Sequence, residues 1–84
     1  MNTESIDCHK VEFGKMQKPG DFCFDDEFRT LYVWLPGQSG PDCVPIKSGE
    51  WRWDGDQDHP IVSPSIHVVG QWHGWLHAGR LVSC

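Results

Sequence analysis

At 84 residues the chain has room for one domain, 1–84, and a single small core, which excludes a multidomain architecture. Twelve Asp and Glu against seven Lys and Arg leave a net charge of −5, so the surface repels phosphate backbones and direct nucleic-acid binding is disfavoured. The segment Met1 to Lys15 carries Glu4, Asp7, His9, Lys10 and Glu12 and no apolar run, so neither a signal peptide nor a membrane anchor is expected there.

Without export, Cys8, Cys23, Cys43 and Cys84 are expected to stay reduced. Their scattered spacing outlines no disulfide framework.

Turn signals punctuate the whole chain. Lys18-Pro19-Gly20-Asp21, Pro36-Gly37, Gly40-Pro41, Ser48-Gly49, Asp54-Gly55-Asp56, Gly70 and Ala78-Gly79 separate short runs rich in Val, Ile, Trp, Phe and Thr. This pattern predicts strands near 9–16, 28–35, 43–47, 50–53, 66–69, 71–77 and 80–84. Asp21 to Thr30 has room for one helical turn at most. In the second run Leu31, Val33 and Leu35 share one face, with Thr30, Tyr32 and Trp34 on the other. Trp51 and Trp53 share a face. Further on, Trp72, Gly74 and Leu76 alternate with His73, Trp75 and His77, and Ala78-Gly79 suits a tight hairpin connection because glycine accepts a positive φ.

The expected fold is therefore mostly β: a small antiparallel meander that closes into a barrel or a two-layer sandwich. Five Trp, four Phe and one Tyr are a heavy aromatic load for this length, and Trp51 or Trp53, together with Trp72, is expected to anchor the core.

Motifs that carry chemistry are sparse. His59, His67, His73 and His77 with Cys43 and Cys84 form a pool of zinc-type ligands, but only His73 and His77 are closely spaced. Four residues along a strand set them roughly 13 Å apart, too far for one ion. No metal and no other cofactor is expected. Asp54-Gly55-Asp56-Gln57-Asp58 starts like a calcium loop, then fails at His59 and Ser65, where that loop needs Gly and Glu. Ser63, Ser65, His67 and Asp58 fall within ten residues, a combination of nucleophile, base and acid. No nucleophile elbow surrounds them, so no catalytic residue is assigned.

The ordered set Trp51-Arg52-Trp53-Asp54-Gly55-Asp56-Gln57-Asp58-His59-Pro60, Ser63-Pro64-Ser65-Ile66, Trp72-His73-Gly74-Trp75-Leu76 and Gly79 resembles a family of small phage and prophage proteins. Its members commonly carry the label ammonia monooxygenase. The resemblance covers residues 31–84, with Leu35-Pro36-Gly37 and Cys43-Val44-Pro45-Ile46 fitting its upstream half. Many relatives have a Cys-rich knuckle near Pro36 to Cys43 and a Cys where this chain has Trp72. Only Cys43 is kept here, so metal binding does not carry over. The resemblance implies a phage origin and a bacterial host cytoplasm, and it implies no activity.

Together these readings predict an acidic binding protein that is not an enzyme. It would inhibit a host defence effector by protein–protein contact, the partner being a basic protein that handles nucleic acid. The alternatives are a small metal-binding or hydrolytic phage protein and a virion accessory protein. The expected contact surface is acidic, Asp25, Asp26, Glu27, Asp54, Asp56 and Asp58, with Trp34 and Trp75 as aromatic anchors.

Overall fold

The structure, a computed structural model, describes residues 5–84. Glu4, one of the charges read in the N-terminal segment, lies outside the described residues. Among the described residues nine strands form two sheets: β1 Ser5–Asp7, β2 His9–Lys10, β3 Asp21–Phe24, β4 Leu31–Val33, β5 Asp42–Val44, β6 Arg52–Trp53, β7 Val62–Val68, β8 Trp72–His77 and β9 Arg80–Ser83. One sheet has the order β1-β9-β8-β7-β6 and the other β2-β3-β4-β5. All pairings are antiparallel except β2 with β3. The chain crosses between sheets at Cys8, whose N–H donates to the Gly79 carbonyl, while the next N–H, from His9, donates to Gly20.

The fold is all-β, as the turn punctuation requires. It is a two-layer sandwich, and no barrel closes. Period-2 alternation decides what each sheet buries. Leu31, Val33 and Leu35 are fully buried on one face of their run, and Leu76 faces them from β8 with Leu81 from β9. Phe22, Phe24, Val44, Val62 and Ile66 complete the layer between the sheets. Ala78 and Gly79 take φ of 51° and 79°, the left-handed pair that a two-residue hairpin between β8 and β9 demands.

Two expectations are corrected. The stretch Asp21 to Thr30, where the sequence left room for one helical turn at most, begins instead with strand β3, Asp21–Phe24. All four residues are buried, so no alternation marks it in the sequence. The core is also not built on tryptophan. Trp51, Trp53 and Trp72 are only partly buried and pack on its rim, where the centre is aliphatic with Phe22 and Phe24. An indole N–H needs an acceptor, which pulls these rings toward loops and strand ends. Trp53 Nε1 donates to the Asp56 carbonyl at 3.1 Å and Trp72 Nε1 to Ser83 Oγ at 3.1 Å.

Among the described residues no helix is long and apolar enough to cross a membrane. All four cysteines are free thiols.

Candidate active site

β7 and β8 form the hairpin that carries the site. Their register runs Val68↔Trp72, His67↔His73 and Ile66↔Gly74, then resumes at Val62↔Leu76. Between those points Ser63, Pro64 and Ser65 stand opposite Trp75 alone, a bulge that bends β7 at Ser65. Ile66, Gly74 and Leu76 face the core, which turns Ser65, His67, His73 and Trp75 to the outer face.

On that face Ser65 Oγ lies 2.9 Å from His73 Nε2. The two side chains are diagonal neighbours across the hairpin, within reach of a ring as long as imidazole. For the hydroxyl to donate, neutral His73 must carry its proton on Nδ1. A hydroxyl hydrogen-bonded to an imidazole nitrogen is the nucleophile–base pairing that activates serine for attack on a carbonyl. Both groups are half-buried, so each is screened from bulk water on one side yet reachable from the other.

The ring of His73 is set between two others. His67 lies 4.6 Å away, centroid to centroid, at 31°, and Trp75 lies 6.0 Å away at 34°. Among the described residues no carboxylate forms an ion pair with His73. Trp75 is 42 % exposed and also walls an apolar recess of about 360 Å³ with Ile61, Ser63, His77 and Val82.

A family model described as BubE, bacterial ubiquitination-like system serine protease, matches residues 9–84. The chain belongs to the BubE family. No curated protein and no solved structure matches it. BubE membership overturns the expectation of a non-enzymatic inhibitor of a host defence effector, because the family is described by a hydrolytic activity. Of the alternatives weighed from the sequence, only the hydrolytic one agrees with it.

The residues expected to form a contact surface are spread over separate turns. Asp25 is half-buried and accepts the N–H of Arg29 at 2.7 Å, closing the turn between β3 and β4. Asp26 is exposed, and Glu27 pairs with Arg29 at 2.8 Å. Trp34 is half-buried and donates to the Gln38 carbonyl at 2.9 Å.

The loop after β6 is bound to itself. Asp54 Oδ1 accepts from Asp56 and Ile61, each at 3.1 Å, and Asp56 Oδ1 accepts from Asp58 and His59, each at 2.9 Å. Those two bonds to Asp56 hold its carboxyl below the usual carboxylate range. Asp58 is exposed and lies 3.5 Å from Lys10. Of the eight side chains singled out, Trp75 alone adjoins the Ser65–His73 pair.

The sequence grouped Ser65 with Ser63, His67 and Asp58 within ten residues and assigned none of them a catalytic role. His67 is on β7 itself, and Asp58 lies in the loop before it. The imidazole that Ser65 meets, His73, comes from the next strand. Pairing His67 with His73 through the turn at Val69 to Gln71 would have set Ser65 diagonal to His73, and that spacing was the available signal.

Proposed function

We propose that this chain is a serine protease of a bacterial ubiquitination-like system, with Ser65 as nucleophile and His73 as general base. The observation that carries the reading is the 2.9 Å contact between Ser65 Oγ and His73 Nε2, found in a chain that belongs to the BubE family.

The chemistry follows from the two groups. Ser65 Oγ attacks the scissile carbonyl carbon as its proton passes to His73 Nε2. The tetrahedral intermediate expels the amine, which takes that proton, and the acyl group remains as an ester on Ser65. Water then attacks the ester and gives a proton to His73. Collapse releases the carboxylic acid and returns the proton to Ser65 Oγ. His73 acts as base and then as acid in each half.

A fluorophosphonate probe tests the assignment directly, because it phosphonylates only an activated serine. Ser65 is expected to carry the label, and Ser65→Ala to abolish both labelling and peptide cleavage. His73→Ala should slow both by about 10²–10⁴-fold, the range for removing a general base. Labelling at another serine, or cleavage that survives Ser65→Ala, overturns the assignment.

A further inference from the structure

β7 outruns its neighbour. β6 pairs with it only at Arg52↔Ser63 and Trp53↔Val62, whereas β7 continues to Val68. That ladder ends at Arg52↔Ser63, one residue before Pro64. Past it, Ser65, Ile66 and His67 have β8 on one side and no described strand on the other. None of the turn and loop backbone hydrogen bonds reaches these three residues.

Hydrogen-bond alternation identifies the unused groups. The Cys84 N–H donates to the His73 carbonyl at 2.9 Å, so the backbone of His73 is directed at the β9 side of its strand. In an antiparallel pair, residues that exchange both bonds alternate with residues that exchange none. His67↔His73 is therefore a pair that exchanges none, and the N–H and C=O of His67 point away from β8, out of the sheet edge. An edge of this kind is a template for another strand.

The base fixes the direction of approach. His73 reaches Ser65 from the β8 side, and a nucleophile cannot accept a carbonyl from the side where its proton leaves. The open side of Ser65 is the same β7 edge.

We infer that the substrate is an extended polypeptide segment that joins the sheet as an added strand along Ser65 to His67. The N–H and C=O of His67 bind its main chain and deliver the scissile carbonyl to Ser65 Oγ. This rests on the assignment of Ser65 as nucleophile. Recognition through main-chain bonds tolerates many side chains but requires a segment free of its own secondary structure, such as a tail or a loop.

The test uses internally quenched decapeptides. The fastest-cut member of a degenerate library is resynthesised with one backbone amide N-methylated at a time. Loss of kcat/KM by about tenfold, the size of one net hydrogen bond, is expected at the one amide that donates to the His67 carbonyl and not at the amides on either side of it. On the enzyme, His67→Pro removes the outward donor without breaking a bond inside the sheet. It should lose at least tenfold more kcat/KM than His67→Ala, which keeps that N–H.

A flat N-methyl profile with Ser65→Ala inactive overturns the added strand and leaves the nucleophile standing. Cleavage that persists in Ser65→Ala, or a library from which nothing is cut, overturns both. If His67→Pro does not fold, the N-methyl series decides alone.

Discussion

Gly74 sits directly beneath the indole of Trp72, two residues earlier on the same strand. A Cβ on Gly74 would lie 2.6 Å from Trp72 Cη2 and 2.7 Å from Cζ2, and it would also collide with the Val82 carbonyl of β9. The missing side chain thus lets Trp72 fold back over its own strand and reach Ser83, and His73 is the residue between Trp72 and Gly74 on β8. Gly74→Ala is expected to destabilise the protein by about 1–3 kcal/mol, as overpacking does in a tight interior. Urea unfolding checks this, and a midpoint equal to the parent's would contradict the packing described. Because His73 is on the displaced stretch, the same variant should lose cleavage activity even where it remains folded.

Alternation explains what could be read from the sequence and what could not. Leu31, Val33 and Leu35, and Gly74 and Leu76 against Trp75 and His77, alternate cleanly because one face of each strand meets the core and the other meets solvent. β3 escaped because Cys23, on its outer side, is buried too, at the floor of a recess it shares with Phe13, Met16 and Tyr32, so both faces are buried and the period disappears. The site escaped for a related reason. β7 was expected to begin at 66, after the two prolines, whereas it begins at Val62 and carries Pro64 within a bulge. That difference left Ser65 in a loop, and a loop residue has no predictable cross-strand neighbour.

The thiols divide by burial. The Cys8 pKa is pushed up to about 12, first by burial, and that of Cys23 is also raised by burial, while Cys43 and Cys84 are exposed. Alkylation requires the thiolate. Two cysteines, Cys43 and Cys84, are expected to react with iodoacetamide at pH 8 well before Cys8 and Cys23, with mass-mapped peptides as the readout. For Cys8 the raised value also sets a sign. Its contribution to stability is fully present below the ordinary value of 9.0 and is lost as pH rises toward about 12, because only the unfolded chain ionises there. Thermal melts should fall over that alkaline window, and Cys8→Ala should flatten the fall.

The loop from Asp54 to Ile61 should respond to acid. Asp56 has its pKa lowered by the N–H groups of His59 and Asp58, so the bonds it accepts persist through the ordinary carboxylate range and fail only as pH drops below the usual 3.8. Amide exchange of Asp58 and His59 is expected to speed up in that acidic window, ahead of Ile66 and Leu76 in the core. Asp56→Asn should bring the speeding-up to neutral pH, since a neutral amide accepts these bonds more weakly. Exchange at Asp58 that is indifferent to this substitution would mean that Asp56 does not hold the loop.

His67 packs against the ring of His73, the base in the proposed mechanism, on a face of the imidazole and not at the Nδ1 edge where a serine hydrolase usually has its orienting carboxylate. Its ring lies 4.6 Å from that of His73 at 31°, a tilted stack and not an edge-on hydrogen bond. A stacked ring restricts how far imidazole can swing about its own bonds, which in the proposed mechanism would keep Nε2 aimed at Ser65. Misplacing a catalytic group by a fraction of an ångström to 1 Å costs up to about 10²-fold, and loss of one packing wall should lie at the lower end. His67→Ala is therefore expected to lower kcat by about tenfold with KM nearly unchanged, because the backbone groups of residue 67 remain in place. His67→Phe keeps a flat ring and carries no titratable nitrogen. If the role is packing, Phe restores most of the lost kcat. If His67 instead exchanges a proton with His73, Phe behaves like Ala, and the acid limb of the kcat–pH profile shifts equally in both variants. A kcat that stays at the parent value in His67→Ala would show that His73 holds its orientation without this neighbour.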